Sequence, residues 1–238
     1  MSIKKVILAL DVNDPAYALD IVDRFSENID VFKVGLELFC AAGPSVVKGI
    51  HDRGKRVFLD LKFHDIPNTV AGAALAATRM GVYMFNMHTS SGSEAMRRCV
   101  DSVRECCIKE NLERPVLLGV TVLTSIGTEI LKNELAVQHS VHTHVKQMAK
   151  MAKNSGMDGV VASGHEAHLI KEHCGQEFKI VTPGIRPSWT PPDDQKRTMT
   201  PKEAIRNGAD FLVIGRSILK QPDAAKALDL INLEILSI

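Results

Sequence analysis

Eight short runs in this chain are apolar at nearly every position rather than at alternate ones: KVILAL (5–10), DVFKV (30–34), RVFLDL (56–61), YMFNM (83–87), PVLLGV (115–120), DGVVAS (158–163), FKIVTP (178–183) and DFLVIG (210–215). A strand with one wet face alternates, so near-continuous apolarity marks parallel strands covered on both faces. Helical patterns fill the intervals. In DPAYALDIVDRF, Asp14 is placed to cap and Pro15 to take the first helical position; in SGSEAMRRCVDSVRECC the cap is Ser91 or Ser93. Eight β/α units in 238 residues predict an α/β fold, a (β/α)8 TIM barrel forming one domain over 1–238. A doubly wound open sheet is the structural alternative.

A barrel makes a checkable demand, because its functional side chains stand where the strands stop. The first run ends at Asp11, the second carries Lys33, and the third ends with Asp60 and Lys62. His88 follows the fourth, Thr121, Thr124 and Ser125 the fifth, Pro183, Gly184 and Arg186 the seventh, and Gly215 and Arg216 the eighth. Asp60 and Lys62 lie two apart, so strand alternation sends both to one face. Two opposite charges then share one small site. Glycine followed by arginine in IGRSI suits a phosphate, which backbone amides approach closely and a guanidinium grips. The proline-rich stretch RPSWTPPDDQKRT (186–198) reads as a long loop of the lid kind.

Charge narrows the partners. With 29 Lys and Arg against 28 Asp and Glu, the net charge of +1 offers no field for nucleic acid or an anionic membrane. A small molecule is the expected ligand. The five cysteines, Cys40, Cys99, Cys106, Cys107 and Cys174, are odd in number and contain no C-x-x-C pair, so they read as reduced thiols in a cytoplasmic protein. The apolar stretch before Asp11 is too short for a signal peptide, and no run approaches the roughly 18 residues of a membrane span. His139, His142 and His144, or His165 with His168, invite a metal reading, but their spacing matches no ligand set. No metal and no cofactor are expected.

The third strand end carries a more specific pattern. D-x-K-x-x-D-I-P-x-T, met by Asp60, Lys62, Asp65, Ile66, Pro67 and Thr69, resembles the signature of the orotidine 5'-phosphate decarboxylase family. The likeness spans essentially the whole chain: LALDV at Asp11, FKVG at Lys33, NMHTSSG at His88, VTVLTS at Ser125, DGVVAS, TPGIR at Arg186, Gln195 in the loop and IGRSI at Arg216.

That resemblance implies a substrate, orotidine 5'-monophosphate, and products, uridine 5'-monophosphate and carbon dioxide, the last step of pyrimidine nucleotide synthesis. It implies Lys62 as general acid within a charged array of Lys33, Asp60, Lys62 and Asp65. Asp65, Ile66 and Thr69 would serve the neighbouring subunit's site in an obligate homodimer. Asp11 and Lys33 would hold the ribose, Thr124 and Ser125 the pyrimidine edge, and Gln195, Gly215 and Arg216 the phosphate, with Pro183 and Arg186 beside them. Two rivals remain at this level. Magnesium-dependent sugar-phosphate decarboxylases and aldolases share D-x-K-x-x-D, yet need a carboxylate where Lys33 stands. A non-catalytic nucleotide-binding barrel would be expected to have lost a member of the array, and none is lost.

Overall fold

The computed structural model describes residues 5–190 and 197–237. All eight apolar runs form strands: β1 (Val6–Ala9), β2 (Val31–Gly35), β3 (Arg56–Phe63), β4 (Met84–His88), β5 (Val116–Val120), β6 (Gly159–Val161), β7 (Lys179–Thr182) and β8 (Phe211–Ile214). Each pairs in parallel with its neighbours in sequence and β8 returns to β1, so the sheet closes into a barrel. The open-sheet alternative is thereby set aside. Helices alternate with the strands: α1 (Pro15–Phe25), α2 (Leu36–Ala42), α3 (Pro44–His51), α4 (Pro67–Arg79), α5 (Gly92–Glu110), α6 (Thr128–Asn133), α7 (Val141–Asn154), α8 (Gly164–Cys174), α9 (Pro201–Arg206), α10 (Arg216–Leu219) and α11 (Ala224–Leu236).

The continuous apolarity of the strands has a direct use. Leu8, Phe32, Leu59, Phe85 and Leu117 face outward and pack under the helices, whereas Ile7, Val31, Phe58, Met84 and Leu118 face inward and fill the barrel. One row of residues thus serves two cores, which is why no strand can alternate. At the amino-terminal end, aspartates staple neighbouring strands. Asp158 accepts from the Leu117 backbone N–H at 2.7 Å, and Asp210 accepts from that of Ile180 at 2.7 Å and from Lys171 Nζ at 2.8 Å.

Helix starts follow the sequence in one case and depart in another. Asp14 caps α1 through the N–H groups of Ala16 and Tyr17, with Pro15 at its first position. At α5 Ser91 occupies the cap position, but its side chain makes no capping bond and Ser93 lies inside the helix. The reason is a 3-10 turn over Thr89–Ser91, which leads into α5 and takes Ser91 out of the extended conformation that a capping side chain needs. Among the described residues no helix is long and apolar enough to cross a membrane, and all five cysteines are free thiols.

Candidate active site

Inward-facing residues just above the barrel core line a cavity of about 340 Å³ at the carboxyl ends of the strands. Its floor is apolar, built from Ala9, Phe58, Val120, Val161 and Val213, and its rim is polar. A flat, partly apolar ring fits such a floor, with a few polar groups fixing its orientation.

Along one wall four charges alternate. Lys33 Nζ lies 2.8 Å from Asp11 Oδ1 and 3.4 Å from Asp60 Oδ2, and Lys62 Nζ lies 2.7 Å from Asp60 Oδ1. Lys33 and Asp60 are buried. Burial alone would lower the pKa of Lys33, but Asp60 and then Asp11 outweigh it and hold the ammonium above its ordinary 10.5. Lys33 is therefore charged at neutral pH. A Cβ at Gly35, two positions on, would stand 2.8 Å from Lys33 Nζ, so a side chain there would push the ammonium aside.

Alternation does send Asp60 and Lys62 to the same face, but not through a regular strand. The β3–β4 register shifts between Leu59 and Phe63, and Lys62 has a φ of 51°, in the left-handed region. For a lysine this conformation costs on the order of 1–2 kcal/mol. The cause is Asn86. Its Oδ1 accepts the Lys62 backbone N–H at 2.8 Å, in place of a ladder bond, and its Nδ2 donates to Asp60 Oδ1 at 2.6 Å. One buried amide thus sets both members of the central ion pair. Asn86 is not among the residues expected from the sequence, although its one signal is legible there: a polar residue on the inward face of an apolar strand.

Of the other expected residues, Asp11, Thr124, Ser125, Pro183, Arg186, Gly215 and Arg216 all line the cavity. Gln195 lies outside the described residues. Asp65, Ile66 and Thr69 do not line the cavity of their own chain; all three are exposed, Ile66 to 67%, at the start of α4. Ser163, buried at the cap of α8, lines the cavity without having been singled out, and Thr121 is taken up by the Val161 carbonyl. Among the described residues no group of three or more His, Cys, Asp or Glu side chains is set to hold a metal ion.

His88, at the end of β4, stands with its ring centroid 5.0 Å from that of His64. Burial pushes its pKa down to about 4; His64 and Lys62 act in the same direction and Asp60 opposes them. The unfolded chain therefore binds a proton that the folded chain refuses between pH 6.5 and about 4. Stability from this group is complete above pH 6.5 and falls as the pH drops toward 4, by at most about 1.4 kcal/mol per unit and less for a partly exposed ring. His88→Gln should flatten the fall in melting temperature between these limits. An unchanged slope would show that the ring titrates normally.

Comparison with known proteins agrees with this fold. Residues 4–231 match the family described as "Orotidine 5'-phosphate decarboxylase / HUMPS family". The orotidine 5'-phosphate decarboxylase of Moorella thermoacetica is 50% identical over 231 residues, covering 97% of this chain and 92% of that protein. That of Vibrio cholerae is 47% identical, covering 98% of each chain. The crystal structure of the Lactobacillus acidophilus orotidine 5'-phosphate decarboxylase superposes with a TM-score of 0.85 at 36% identity, covering 98% of this chain and 99% of that one. With the barrel, the cavity and near full-length matches in agreement, the chain belongs to the orotidine 5'-phosphate decarboxylase / HUMPS family.

Proposed function

We propose that this protein decarboxylates orotidine 5'-monophosphate to uridine 5'-monophosphate without a metal or cofactor. The observation that carries the reading is the Lys62 ammonium, held 2.7 Å from a buried Asp60 at the edge of an apolar floor. When the bond from C6 to the carboxylate breaks, neutral carbon dioxide leaves and the electron pair stays on C6, in an in-plane orbital that the ring cannot delocalise well. A cation fixed beside C6 stabilises that pair before solvent has to reorganise. Lys62 then gives its proton to C6, forming the C–H bond of the product, and recovers a proton from water.

Asp60, 2.7 Å from Lys62 Nζ, keeps the ammonium aimed and would sit beside the departing carboxylate. Two like charges about 4 Å apart cost on the order of 4 kcal/mol at an effective dielectric of about 20, and carbon dioxide loss removes that cost. Asp11 and Lys33 would hold the ribose hydroxyls. Thr124 and Ser125 would take the pyrimidine edge, while Arg186, Gly215, Arg216 and Gln195 take the phosphate. Because the phosphate lies far from C6, its binding energy can organise the reacting end. Orotidine should therefore turn over at least about 10²-fold more slowly than orotidine 5'-monophosphate at saturation, followed by loss of orotate absorbance. Equal rates would remove the phosphate from the account.

Asp65, Ile66 and Thr69 are assigned to the site of a second copy in a homodimer, with Asp65 completing the array beyond Lys62. Support comes from their exposure, above all that of the apolar Ile66 at 67%, which covering by a second copy would bury. Complementation tests this. Lys62→Ala and Asp65→Ala proteins, each inactive alone, should regain about a quarter of wild-type activity when mixed equally, since half of the randomly exchanged dimers hold one intact site. No recovery after verified exchange would keep each site within one chain. Free thiols suit a cytosolic enzyme.

A further inference from the structure

We infer that Glu166, acting through Arg197, is a positioning residue for the phosphate side of the active site, an inference that rests on the function proposed above. Glu166 sits in the first turn of α8, is 1% exposed and does not line the cavity. Its Oε2 is paired with Arg197 Nη2, and its Oε1 lies 3.2 Å from Nδ1 of His142, on the first turn of α7. A carboxylate this deeply buried has to be paired, yet such a pair seldom adds net stability. The guanidinium gives up part of its own hydrogen bonding here: Arg197 Nη1 is buried without a partner among the described residues. A cost of that kind is explained by geometry rather than by stability.

The geometry leads to the cavity. Arg197 begins the segment returning from the 186–198 loop, and that segment lies against the end of β7. Met199 N donates to Gly184 O at 3.1 Å, Arg186 N donates to Met199 O at 2.9 Å, and Ile185 and Met199 form a parallel bridge. The two segments touch at Gly184, whose φ is 74° and where a Cβ would stand 2.8 Å from Arg197 O. On the far side Met199 Sδ would meet a Cβ at Gly164 within 2.8 Å, so the same turn of α8 that holds Arg197 also seats Met199. Glu166 therefore fixes Arg197, Arg197 and Met199 fix the Gly184–Arg186 backbone, and Arg186 projects into the cavity. Ser217, next to Arg216, donates to Ile185 O at 3.5 Å and ties the second phosphate-side segment to the same base.

The test separates phosphate from nucleoside. In Glu166→Gln, affinity for uridine 5'-monophosphate should fall about tenfold or more, the cost of misplacing a gripping residue, while affinity for uridine stays within about twofold. Arg197→Gln should do the same, and the double variant should lose no more than either single one, because the pair acts as a unit. If Glu166→Gln does not fold, Arg197→Gln or the charge-free double variant carries the same readout. Equal weakening of both ligands in a folded variant, unchanged nucleotide affinity, or additive losses would overturn the inference. Failure of the underlying function would look different: the wild-type protein itself would not prefer the nucleotide to the nucleoside.

Discussion

Lys62→Ala is expected to lower turnover of orotidine 5'-monophosphate by at least about 10⁴-fold while leaving affinity for uridine 5'-monophosphate within about threefold of wild type. The asymmetry follows from what the ammonium does. It meets a developing charge and supplies a proton, two effects that exist only on the way to the transition state and that multiply when removed together. The ground-state product carries no charge at C6 and loses little. Alanine keeps the Cβ that strains a backbone at φ 51°, so that strain is common to both proteins and the comparison isolates the loss of the ammonium. A joint collapse of affinity and turnover would mean that Lys62 organises the pocket rather than the reaction.

Asp60→Asn should lower turnover by about 10²–10³-fold, again with little change in product affinity. Three donors converge on this carboxylate: Lys62 Nζ at 2.7 Å, Asn86 Nδ2 at 2.6 Å and Lys33 Nζ at 3.4 Å. A carboxylate accepts from all of them, whereas an amide presents one acceptor and turns an NH₂ group toward another donor. Lys62 then loses its aim and Lys33 one of its two counter-charges. Substrate affinity discriminates between the two roles of Asp60. If repulsion of the substrate carboxylate matters, the substrate should bind more tightly to the variant even as turnover falls; if aiming alone matters, only turnover changes. Kinetics with substrate and binding of product, measured side by side, read this directly. Wild-type turnover in Asp60→Asn would remove the aspartate from the mechanism.

Much of this was legible in the sequence because barrel architecture turns position into role. Each apolar run announced a strand buried on both faces, and Asp11, Lys33, Asp60 and Lys62, at or near the ends of those runs, meet in one wall, while Asp65, which the resemblance adds to the array, stands outside the cavity of its own chain. What stayed hidden depends on contacts between distant elements. Asn86 looks like an isolated polar residue in YMFNM until β4 sets it beside Asp60, 26 positions away, where its amide also takes the N–H of the left-handed Lys62. Histidine spacing around His142 showed no partner, since its carboxylate, Glu166, arrives from the following helix. Ser91, one of the two cap candidates, does stand at the cap position of α5, but the 3-10 turn before it holds it in the helical region, where its side chain makes no capping bond. Asp65 and Thr69 were assigned by family resemblance alone, and no periodicity in one chain can place a residue in the site of another.

In the proposed mechanism a fixed ammonium, without a metal, takes the charge that carbon dioxide leaves behind. This step is tested most directly by following orotate absorbance with purified protein in deuterium oxide and excess chelator, and then locating the deuterium in the product. Turnover should be the same with and without the chelator, each uridine 5'-monophosphate formed should carry one deuteron at C6, and the rate of forming this deuterated product should collapse in Lys62→Ala. Turnover that chelation abolishes and magnesium restores, or C6 deuteration that persists at the wild-type rate without Lys62, would contradict it.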